Sequence, residues 1–463
     1  MKKISLLFIL LLLFPLQAGA TEYYVATNGS NSNPGTLASP WLTWQYAADT
    51  IVAGDTVWGR AGTYTEHLIF PRYTHASVFT IFRNYNNEEV IISGASTAAH
   101  TWAVDSGSRY YTTGINWEPK LLVANCGALG EVRLEDRNIT AKTGVNAAGK
   151  WWYDVTAQRI YAWVDGGGDP DSCASLKISK LPDMTGTNDA EHGKRALFQF
   201  AYSSSTQGNR IRIQGIKFRY SNNRSYHFSY ANYPQVIDCD IKFAYGGNRF
   251  QNLDYGYVNN TLFNWLGFQD WVGDRTGGEV ISLNWANNCV VRNNPVTNFY
   301  NIAIGGGWKG NNNIALSNTI DPGHDLGDTN AALYFNMTSF SRFQNNDVYN
   351  SAATITNNLF RGFALNAESS GESCWNNVAV GNTFRRTGYN TSIDKNLTPG
   401  GIYNNAVVHN TFYNGWFAEV WLTNKAISPS VYDNIFKNNI LLAYQASPAW
   451  LIRNPTVAGA SNI

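Results

Sequence analysis

Asparagine recurs at regular intervals through the second half of the chain. Segments such as VVRNNPVTN, IALSNTID, RFQNNDVYN and VVHNTFYNG each contain an Asn that is followed, two positions on, by an apolar residue. The repeated positions are Asn260, Asn294, Asn318, Asn346, Asn382, Asn410 and Asn434. They span 174 residues in six steps, a mean of 29 residues per step. A repeat of this length predicts a solenoid or a propeller that is built from one supersecondary unit per repeat.

The repeating unit has the pattern of β-structure. Each repeat contains short alternating runs such as VISLN, NIAIG, ALYFN and FALNA, without a ten-residue helical periodicity. Asn side chains stacked at one turn can hydrogen-bond from coil to coil, which gives this residue a physical reason to recur. A propeller blade needs about 40 to 45 residues, more than these repeats provide. The sequence therefore predicts an all-β fold, a parallel β-helix (β-solenoid).

The first 20 residues have the pattern of a secretory signal peptide. Lys2 and Lys3 precede the apolar run LLFILLLLFPL, and QAGA follows it. We expect cleavage after Ala20 and a secreted, periplasmic or cell-surface protein. The 34 Lys and Arg residues balance 33 Asp and Glu residues, so the chain has no net charge to attract nucleic acid or an anionic membrane. We expect a monomer whose partner is a polysaccharide, with neither nucleic acid nor membrane bound.

Residues 23–67 have the order strand, polar loop, amphipathic helix, strand, which suits a cap on the open end of a solenoid. Three motifs follow one another there: GSNSNPGT, SPW-T-Q-AAD and GDTV--RAGTY. This stretch closely resembles the N-terminal cap of secreted bacterial right-handed parallel β-helix proteins of the pectate-lyase-like (pectin lyase fold) superfamily. The resemblance implies a right-handed β-helix with an N-terminal helix cap. It also implies carbohydrate chemistry, since the superfamily is rich in polysaccharide lyases and hydrolases.

We divide the chain into a signal peptide (1–20), a cap with the first coils (21–94), a β-rich insertion (95–195) and the coils of the Asn ladder (196–463). The insertion contains KWWYDVTAQRIYAWVDGGGDPDS, whose aromatic residues either pack the insertion or stack on substrate. Five Cys residues are an odd number, and none has zinc-site spacing. Cys126 and Cys173 lie within the insertion and form the disulfide to test first.

The alternating run before each ladder position predicts one long parallel sheet. The aligned runs are EVISLN, NIAIGG, ALYFNM, FALNAE, GIYNN and AEVWLT. The residues expected to point inward are Ile281, Ile304, Leu333, Leu365, Ile402 and Val420. The residues expected to point outward are Ser282, Tyr334, Asn336, Asn366, Glu368, Tyr403, Glu419 and Trp421. Outward carboxylates and aromatic rings on neighbouring coils predict a groove for a sugar polymer.

Three carboxylates are the candidates for catalysis in this groove. Glu368 and Glu419 lie two coils apart by this alignment, so their carboxyl groups are expected within about 6.5 to 9.5 Å, the spacing of an inverting glycosidase. Asp325, in the corner loop IDPGHDLGDTN with His324, is the alternative partner of Glu368. His324 and Arg361, with Tyr334, Asn336, Asn366, Tyr403 and Trp421, are the expected substrate-binding residues. QDWVGDRTGGE, which ends at Glu279, could extend the groove with further subsites.

Three functions stay open at this level. The first is a glycoside hydrolase with a carboxylate pair and no cofactor or metal. The second is a lyase or epimerase acting on a uronate polymer, for which Ca²⁺ can serve as a cofactor. AESSGESCWNNVAVGNTF faintly resembles the calcium and catalytic coil of the alginate lyase and chondroitinase family, but Glu372 stands where that family has its catalytic lysine. The third is a non-catalytic glycan-binding surface protein, because a repetitive β-helix does not itself require catalysis.

Overall fold

The chain winds into successive coils, and a complete coil contributes one strand to each of three parallel sheets. The computed structural model describes residues 20–71, 73, 77–128, 130–136, 139–182, 196–201, 208–267, 278–306, 309–323, 331–351, 360–367, 373–387, 389–395, 402–413, 418–424, 431–442 and 450–453. Within these residues the secondary structure is almost entirely β.

The elements fall into three groups along the chain. The cap and first coils contain β1 (Glu22–Val25), α1 (Trp44–Thr50), β2 (Thr56–Gly59), β3 (Gly62–Tyr64), β4 (Leu68–Ile69), β5 (Thr80–Asn84) and β6 (Val90–Ser93). The insertion contains β7 (Ala103–Ser106), β8 (Arg109–Thr113), β9 (Leu122–Asn125), β10 (Val132–Arg133), β11 (Lys150–Asp154), β12 (Arg159–Trp163) and β13 (Ser175–Ile178), with 3₁₀ turns at Lys142–Gly144, Asp165–Gly167 and Pro170–Ser172. The later coils contain β14 (Ala196–Ala201), β15 (Gly208–Asn209), β16 (Ile211–Gln214), β17 (Lys217–Ser221), β18 (Arg224–Ser229), β19 (Ala231–Asn232), β20 (Gln235–Ile237), β21 (Asp240–Ala244), β22 (Asn248–Asp254), β23 (Tyr257–Asn259), β24 (Leu262–Leu266), β25 (Glu279–Asn287), β26 (Val290–Arg292), β27 (Pro295–Phe299), β28 (Ile302–Gly306), β29 (Ile314–Leu316), β30 (Thr319–Asp321), β31 (Ala331–Asn336), β32 (Arg342–Gln344), β33 (Asp347–Tyr349), β34 (Arg361–Ala367), β35 (Cys374–Trp375), β36 (Val378–Val380), β37 (Thr383–Arg385), β38 (Tyr389–Lys395), β39 (Ile402–Tyr403), β40 (Ala406–Val408), β41 (Thr411–Tyr413), β42 (Ala418–Asn424), β43 (Val431–Tyr432), β44 (Ile435–Lys437), β45 (Ile440–Leu442) and β46 (Trp450–Arg453).

Three long parallel sheets run the length of the described coils. Sheet A has the order β1-β2-β5-β16-β20-β23-β26-β29-β32-β36-β40-β44. Sheet B has the order β3-β6-β17-β21-β24-β27-β30-β33-β37-β41-β45, and sheet C has the order β4-β14-β18-β22-β25-β28-β31-β34-β38-β42-β46. A short sheet D (β35-β39-β43) lies between sheets C and A in the last coils. This arrangement confirms the predicted parallel β-helix.

Inward-facing side chains stack from coil to coil inside the helix. In sheet B, Phe218, Ile241, Phe263 and Val296 are register partners in turn, and all four are fully buried. Their neighbours along each strand are partly exposed, which is the period-2 burial of a strand with one core face. Burial of each large apolar side chain contributes about 1.5 to 3 kcal/mol. The core is therefore one continuous column, and it depends on correct register between coils.

Asn side chains form a ladder at the turn between sheets A and B, buried except at Asn439, its half-buried last member. Its members are Asn294, Asn318, Asn346, Asn382, Asn410 and Asn439, each joined to the next by a bond from Nδ2 to Oδ1 of 2.9 to 3.1 Å. Asn346, for example, also receives the backbone N–H of Asn318 and donates to the carbonyl of Ala315. The polar backbone groups at each turn are thus hydrogen-bonded to ladder side chains of the neighbouring coils.

A second ladder lies at the turn that enters sheet A from sheets C and D. Asn313, Ser341, Asn377, Asn405 and Asn434 hold its positions, and Asn377 and Asn405 donate to the next Oδ1 at 3.0 and 2.9 Å. Asn434 was therefore assigned to the wrong ladder by the sequence analysis. Asn260 was also wrong, because the first-ladder position of its coil is Thr261, whose N–H donates to Asn294 Oδ1.

The residue before each ladder position adopts a left-handed backbone conformation. Asn260, Asn293, Ser317, Asn345 and His409 have φ values of 51°, 55°, 54°, 52° and 54°. Asn tolerates this region better than most residues that have a Cβ. The frequent Asn-Asn pairs therefore combine two roles, in which the first Asn makes the turn and the second joins the ladder.

The insertion is a separate antiparallel unit that is docked on the coils. Its strands form sheets β11-β12-β8-β7 and β10-β9-β13, and the predicted Cys126–Cys173 disulfide joins the end of β9 to the segment before β13. Trp151 and Tyr161 are buried, so these two aromatic side chains pack within the insertion. Leu121 and Val123 pack against Phe243 and Tyr300 of the coils. The insertion is therefore fixed at the corner between sheets B and C.

Helix α1 closes the end of the first coils. Thr43 caps it by accepting the N–H of Tyr46, and the Glu66 carboxylate accepts the N–H groups of Trp44 and Gln45. Trp44 and Ala47 are buried against the column of the core. Within the described part of the chain, no helix has the length and apolar character of a membrane span.

One predicted strand was wrong. GIYNN was aligned with the outward-facing groove, but Ile402 and Tyr403 form β39 in sheet D. The strand of that coil in sheet C is β38, with the sequence YNTSIDK. The sequence GIYNN has the pattern of a groove strand because its apolar residue Ile402 faces the core. The sequence of β38 is mostly polar, so it does not show the alternation of apolar and polar residues that is expected of a groove strand.

The first ladder predicts a large loss of stability when one Asn is removed. In Asn346→Ala, the two donors of Asn318 lose their acceptor inside the protein. We expect the free energy of unfolding to fall by about 2 to 4 kcal/mol, measured from the guanidinium midpoint. Asn345→Gly, at the exposed neighbouring position with positive φ, is the control and should change it by less than about 0.5 kcal/mol. Equal effects of the two changes would contradict the structural role of the ladder.

The three cysteines outside the disulfide are predicted to be unreactive in the folded protein. Cys239, Cys289 and Cys374 are buried, and burial raises their thiol pKa values to about 12, 12 and 11. Because the thiolate is the reactive form, no thiol should react with DTNB at pH 8. Three thiols should react after unfolding in guanidinium, and five after reduction. Rapid labelling of the native protein would show that these thiols are accessible and the prediction wrong.

Candidate functional site

One side of sheet C carries a row of mostly polar residues at a single register position. Gln199, His227, Arg249, Ser282, Gly305, Tyr334 and Ala364 are register partners from strand to strand. Their neighbours along the strands, such as Phe228, Phe250 and Leu283, belong to the core. Because side chains alternate along a strand, the row lies on the outer side of the solenoid. We call this row the central row.

The outer side of sheet C is polar and yet buried, and we call it the polar face. Its described side chains are Gln199, Arg224, His227, Ser229, Arg249, Gln251, Glu279, Ser282, Asn284, Tyr334, Asn336, Arg361 and Asn366. All of these are at most 6% exposed, except for Gln251 and Arg361, which are half-buried. By contrast, the outer residues of sheet B include the solvent-accessible ion pair of Asp347 with Arg385. Burial of so many hydrogen-bonding groups is costly unless they have partners or a ligand.

Glu279 brings a carboxylate into the middle of the central row. It begins β25, and its carboxyl carbon and Oε1 lie 2.7 Å from the point that a Cβ of Gly305 would occupy. Any side chain at position 305 would displace the carboxylate, so glycine is needed there for close approach. Gly305 is the register partner of Ser282 on one side and Tyr334 on the other. The carboxylate therefore lies between these two positions.

His227 is held at both ring nitrogens. Gln199 Nε2 lies 3.1 Å from Nδ1, and Gln251 Oε1 lies 3.3 Å from Nε2. An amide nitrogen donates and an amide oxygen accepts, so Nδ1 is the acceptor and Nε2 carries the proton. His227 is fully buried. It therefore has a fixed ring orientation beside Arg249, its register partner in β22.

Tyr334 and its neighbours continue the face toward later coils. The Tyr334 ring packs with Ile302, Ala331 and Ala364, and its hydroxyl accepts a hydrogen bond from Asn366 Nδ2. Asn366 is the register partner of Asn336. Tyr334, Asn336 and Asn366 therefore lie together on the polar face, where the sequence analysis expected outward side chains.

Positive charge accompanies the Glu279 carboxylate on the polar face. Arg224 and Arg249 are buried, and Arg361 is half-buried. Arg361 begins β34 in the register row of Ala331 and Ile302, and Ile302 pairs with Glu279. Strand spacing places Arg361 about 14 Å from Glu279 at the backbone. The whole chain is nearly neutral, so this excess of Arg is local to the polar face.

The remaining predicted site residues lie in several places. Trp421 is in register with Ser392 and so with Ala364, which extends the central row by two strands. Tyr403 is in sheet D, where its ring stacks on Trp375 at 5.9 Å. The expectation that Tyr403 lies in the groove was therefore wrong, because its strand is at the corner. Glu368, Asp325 and His324 lie outside the described residues.

The register also bears on the expected pairing of Glu368 with Glu419. Ala418 aligns with Tyr389 and then with Arg361, so Glu419 is level with the start of β34. Ala367, after which Glu368 follows, is level with Asn424. Glu368 itself lies outside the described residues, so its expected pairing with Glu419 across two coils stays a prediction.

Glu279, His227, Gln199 and Arg249 are the residues whose importance the sequence reasoning missed. Glu279 was assigned to a distant subsite, and the coils before Asn260 were not aligned at all. One available signal was the run Gly305–Gly307, in the coil after Glu279. Glycine inside a strand often marks the close approach of another group.

No metal centre is evident in the described residues. Among them, no three or more His, Cys, Asp or Glu side chains come together in a way that could hold a metal ion. The Ca²⁺ expected for a lyase therefore stays a prediction, and it concerns residues such as Asp325 that lie outside the described part of the chain.

Comparison with known proteins gives short and distant likenesses. No family model matches the chain. It is 42% identical over 83 residues to the uncharacterized protein YwoF of Bacillus subtilis and 37% identical over 84 residues to the pectate lyase PEL9 of Emericella nidulans. Each match covers 18% of this chain, and they cover 18% and 20% of the relatives, so the chain spans about a fifth of the curated relatives it matches.

A solved structure of XylC with xylose has a similar fold. It matches with a TM-score of 0.53 at 12% sequence identity, over 91% of this chain and 86% of that chain. At this identity the likeness concerns the fold alone. It extends over the coils and agrees with the parallel sheets described above.

Proposed function

We propose that this chain is a carbohydrate-active enzyme that cleaves glycosidic bonds of a polysaccharide bound along the polar face. The observation that carries the proposal is the Glu279 carboxylate, which lies over Gly305 in a buried row of hydrogen-bonding side chains. Amide, hydroxyl and imidazole groups suit sugar hydroxyls, which both donate and accept hydrogen bonds. Burial excludes water from the carboxylate and strengthens its electrostatic effect on a bound sugar.

Hydrolysis is the reaction that we favour, with Glu279 as one of two carboxylates. In a glycosidase one carboxylic acid protonates the leaving oxygen, and a second carboxylate activates water or attacks the sugar. We propose Asp325 as the second carboxylate. The described chain resumes after it at Ala331, whose register partner Ile302 is the partner of Glu279. Glu368 and Glu419 keep a proposed role in binding sugar units further along the face.

The likenesses to known proteins support this class of function. One matched relative is a pectate lyase, and the structure of similar fold was solved with a sugar, xylose. Both likenesses are limited, one by length and the other by identity. The proposal therefore rests on the polar face, and the likenesses agree with it.

β-Elimination on a uronate polymer is the second candidate, favoured by the basic residues of the polar face. A lyase must neutralise the substrate carboxylate and remove a proton from the sugar ring. Arg249 and Arg224 supply buried positive charge, and Tyr334 or His227 is the available base. We propose Ca²⁺ as an aid to neutralisation in this case alone.

The proposed function predicts that Glu279→Gln strongly lowers turnover without unfolding the protein. We expect the wild type to release reducing ends from one or more of a panel of neutral and uronate polysaccharides. Loss of the acid or nucleophile should reduce kcat by about 10²- to 10⁴-fold, while the amide keeps the shape of the side chain. Absorbance near 235 nm, with and without EDTA, reports elimination in the same assay.

Each outcome of this assay has a distinct meaning. Asp347→Asn, which removes a surface carboxylate from a later coil, is the matched control and should retain full activity. Reducing ends without absorbance support hydrolysis, and Asp325→Asn should then be as inactive as Glu279→Gln. Absorbance would replace hydrolysis with β-elimination. Full activity of Glu279→Gln would contradict its role, and inactivity of the wild type on every polymer would favour a binding protein.

Gly305→Ala tests the close approach of the Glu279 carboxylate. The new Cβ would lie 2.7 Å from the carboxyl carbon, so the flexible side chain of Glu279 must move away. We expect activity to fall by at least about 10-fold while Tm changes by only a few degrees, because misplacing a reacting group costs more than accommodating one methyl group. Gly168→Ala, where a Cβ meets nothing closer than 3.8 Å, is the control and should be fully active. Normal activity of Gly305→Ala would argue against this position of the carboxylate.

A further inference from the structure

Two polar side chains of β25 are buried without hydrogen-bond partners. Within the described residues, the Ser282 hydroxyl and both polar atoms of the Asn284 amide contact no hydrogen-bonding group. Ser282 is 1% exposed and Asn284 is fully buried. An unsatisfied buried group costs about 1 to 3 kcal/mol. Native proteins retain few such groups, and each calls for an explanation such as a missing ligand.

The first ladder provides the contrast within this same chain. Asn318 is as buried as Asn284, but its amide donates to Val291 O and to Asn346 Oδ1 and accepts from Asn294. The same residue type is thus fully satisfied where the coils repeat and unsatisfied on the polar face. Structural need explains Asn318 and does not explain Asn284.

Ser282 and Asn284 are close to each other and to the proposed reacting carboxylate. They are two residues apart on one strand and therefore on the same face, with Cα atoms about 7 Å apart. Ser282 is the register partner of Gly305, over which the Glu279 carboxylate lies. Gly305 has no side chain, so it leaves the space beside Ser282 to the carboxylate and to a bound group. One sugar ring can span these three groups.

We propose that Ser282 and Asn284 form the hydroxyl-binding part of a sugar subsite next to Glu279. The Asn284 amide offers two N–H donors and an acceptor, which match two neighbouring sugar hydroxyls, and the Ser282 hydroxyl donates or accepts as needed. Both groups are uncharged, so this subsite recognises hydroxyl groups of the sugar and not a carboxylate. The identity of the ligand as a sugar rests on the proposed function, whereas the missing hydrogen bonds do not.

The first test measures stability in the absence of any ligand. Replacing an unsatisfied buried polar group by an apolar group of similar shape is neutral or stabilising, whereas replacing a satisfied one is not. We expect Asn284→Leu and Ser282→Ala to have a Tm equal to or above that of the wild type. The matched controls are Asn318→Leu and Ser341→Ala, because Ser341 donates to Ser339 O and accepts from Asn313. Both controls should lower Tm by several degrees.

The second test measures sugar binding by calorimetry, with xylotriose and trigalacturonate as the probes. We expect the wild type to bind at least one probe and Asn284→Leu to bind it about 10- to 100-fold more weakly. Ser282→Ala should weaken it about 10-fold, and Asp347→Asn should not change it. Where a polysaccharide is cleaved, the same variants should raise KM more than they lower kcat.

The outcomes separate this inference from the proposed function. A fall in Tm of Asn284→Leu as large as that of Asn318→Leu would overturn the subsite, even in an active enzyme, since the amide would then be structural or bound to an internal water. Unchanged probe affinity in both variants, or no binding of either probe by the wild type, would also overturn it. Weakened probe binding together with inactivity on every polysaccharide would support the subsite and remove the catalytic proposal.

Discussion

The hydrogen bond from an Asn of one coil to an Asn of the next is the interaction on which the rest of the structure depends. Parallel strands place equivalent residues about 4.8 Å apart, but a slip of one residue would reverse the direction of every side chain. The bond between Asn318 and Asn346 forms only when their coils are in register, and a second ladder repeats the constraint at the other end of sheet A. Register in turn places His227, Arg249 and Ser282 in one row. The order of the polar face is thus a consequence of ladders on a different side of the solenoid.

The solenoid repeats where it needs stability and departs from the repeat on the polar face. The ladders use one residue type because every coil offers the same partners at the same distance. On the polar face, Glu279, Gly305 and Tyr334 occupy neighbouring strands, and none of them has an equivalent of its own kind beside it. The unsatisfied buried groups of Ser282 and Asn284 on this face are costly, and the regular core and the ladders offset that cost. Most residues of the molecule therefore have a structural role, and only a small set on the polar face is available for binding or catalysis.

The period of the Asn residues was enough to predict the fold, since it counts residues and does not depend on side-chain direction. The period was less accurate at the first and last positions of the predicted ladder. Each Asn-Asn pair contains one turn residue and one ladder residue, and Asn260, a turn residue, was mistaken for a ladder residue. The predicted groove failed at one coil, where buried Ile402 suggested a strand of sheet C and polar β38 was overlooked. Glu279 was undervalued for a different reason. Its carboxylate crosses to the neighbouring strand, and alternation within one strand carries no information about such a crossing.

The position of Glu279 depends on the insertion as well as on the strands. Glu279 begins β25 at the corner between sheets B and C, where the backbone leaves one sheet for the other. Leu121 and Val123 of the insertion pack at this corner against Tyr300, which is two residues before Ile302, the register partner of Glu279. The repeat alone would leave such a corner free to vary in length and shape, as corners of a solenoid do. Packing by the insertion restricts it, so a side chain at the end of a strand has a defined direction. The site therefore lies where the repetitive and the non-repetitive parts of the chain meet, and it requires both.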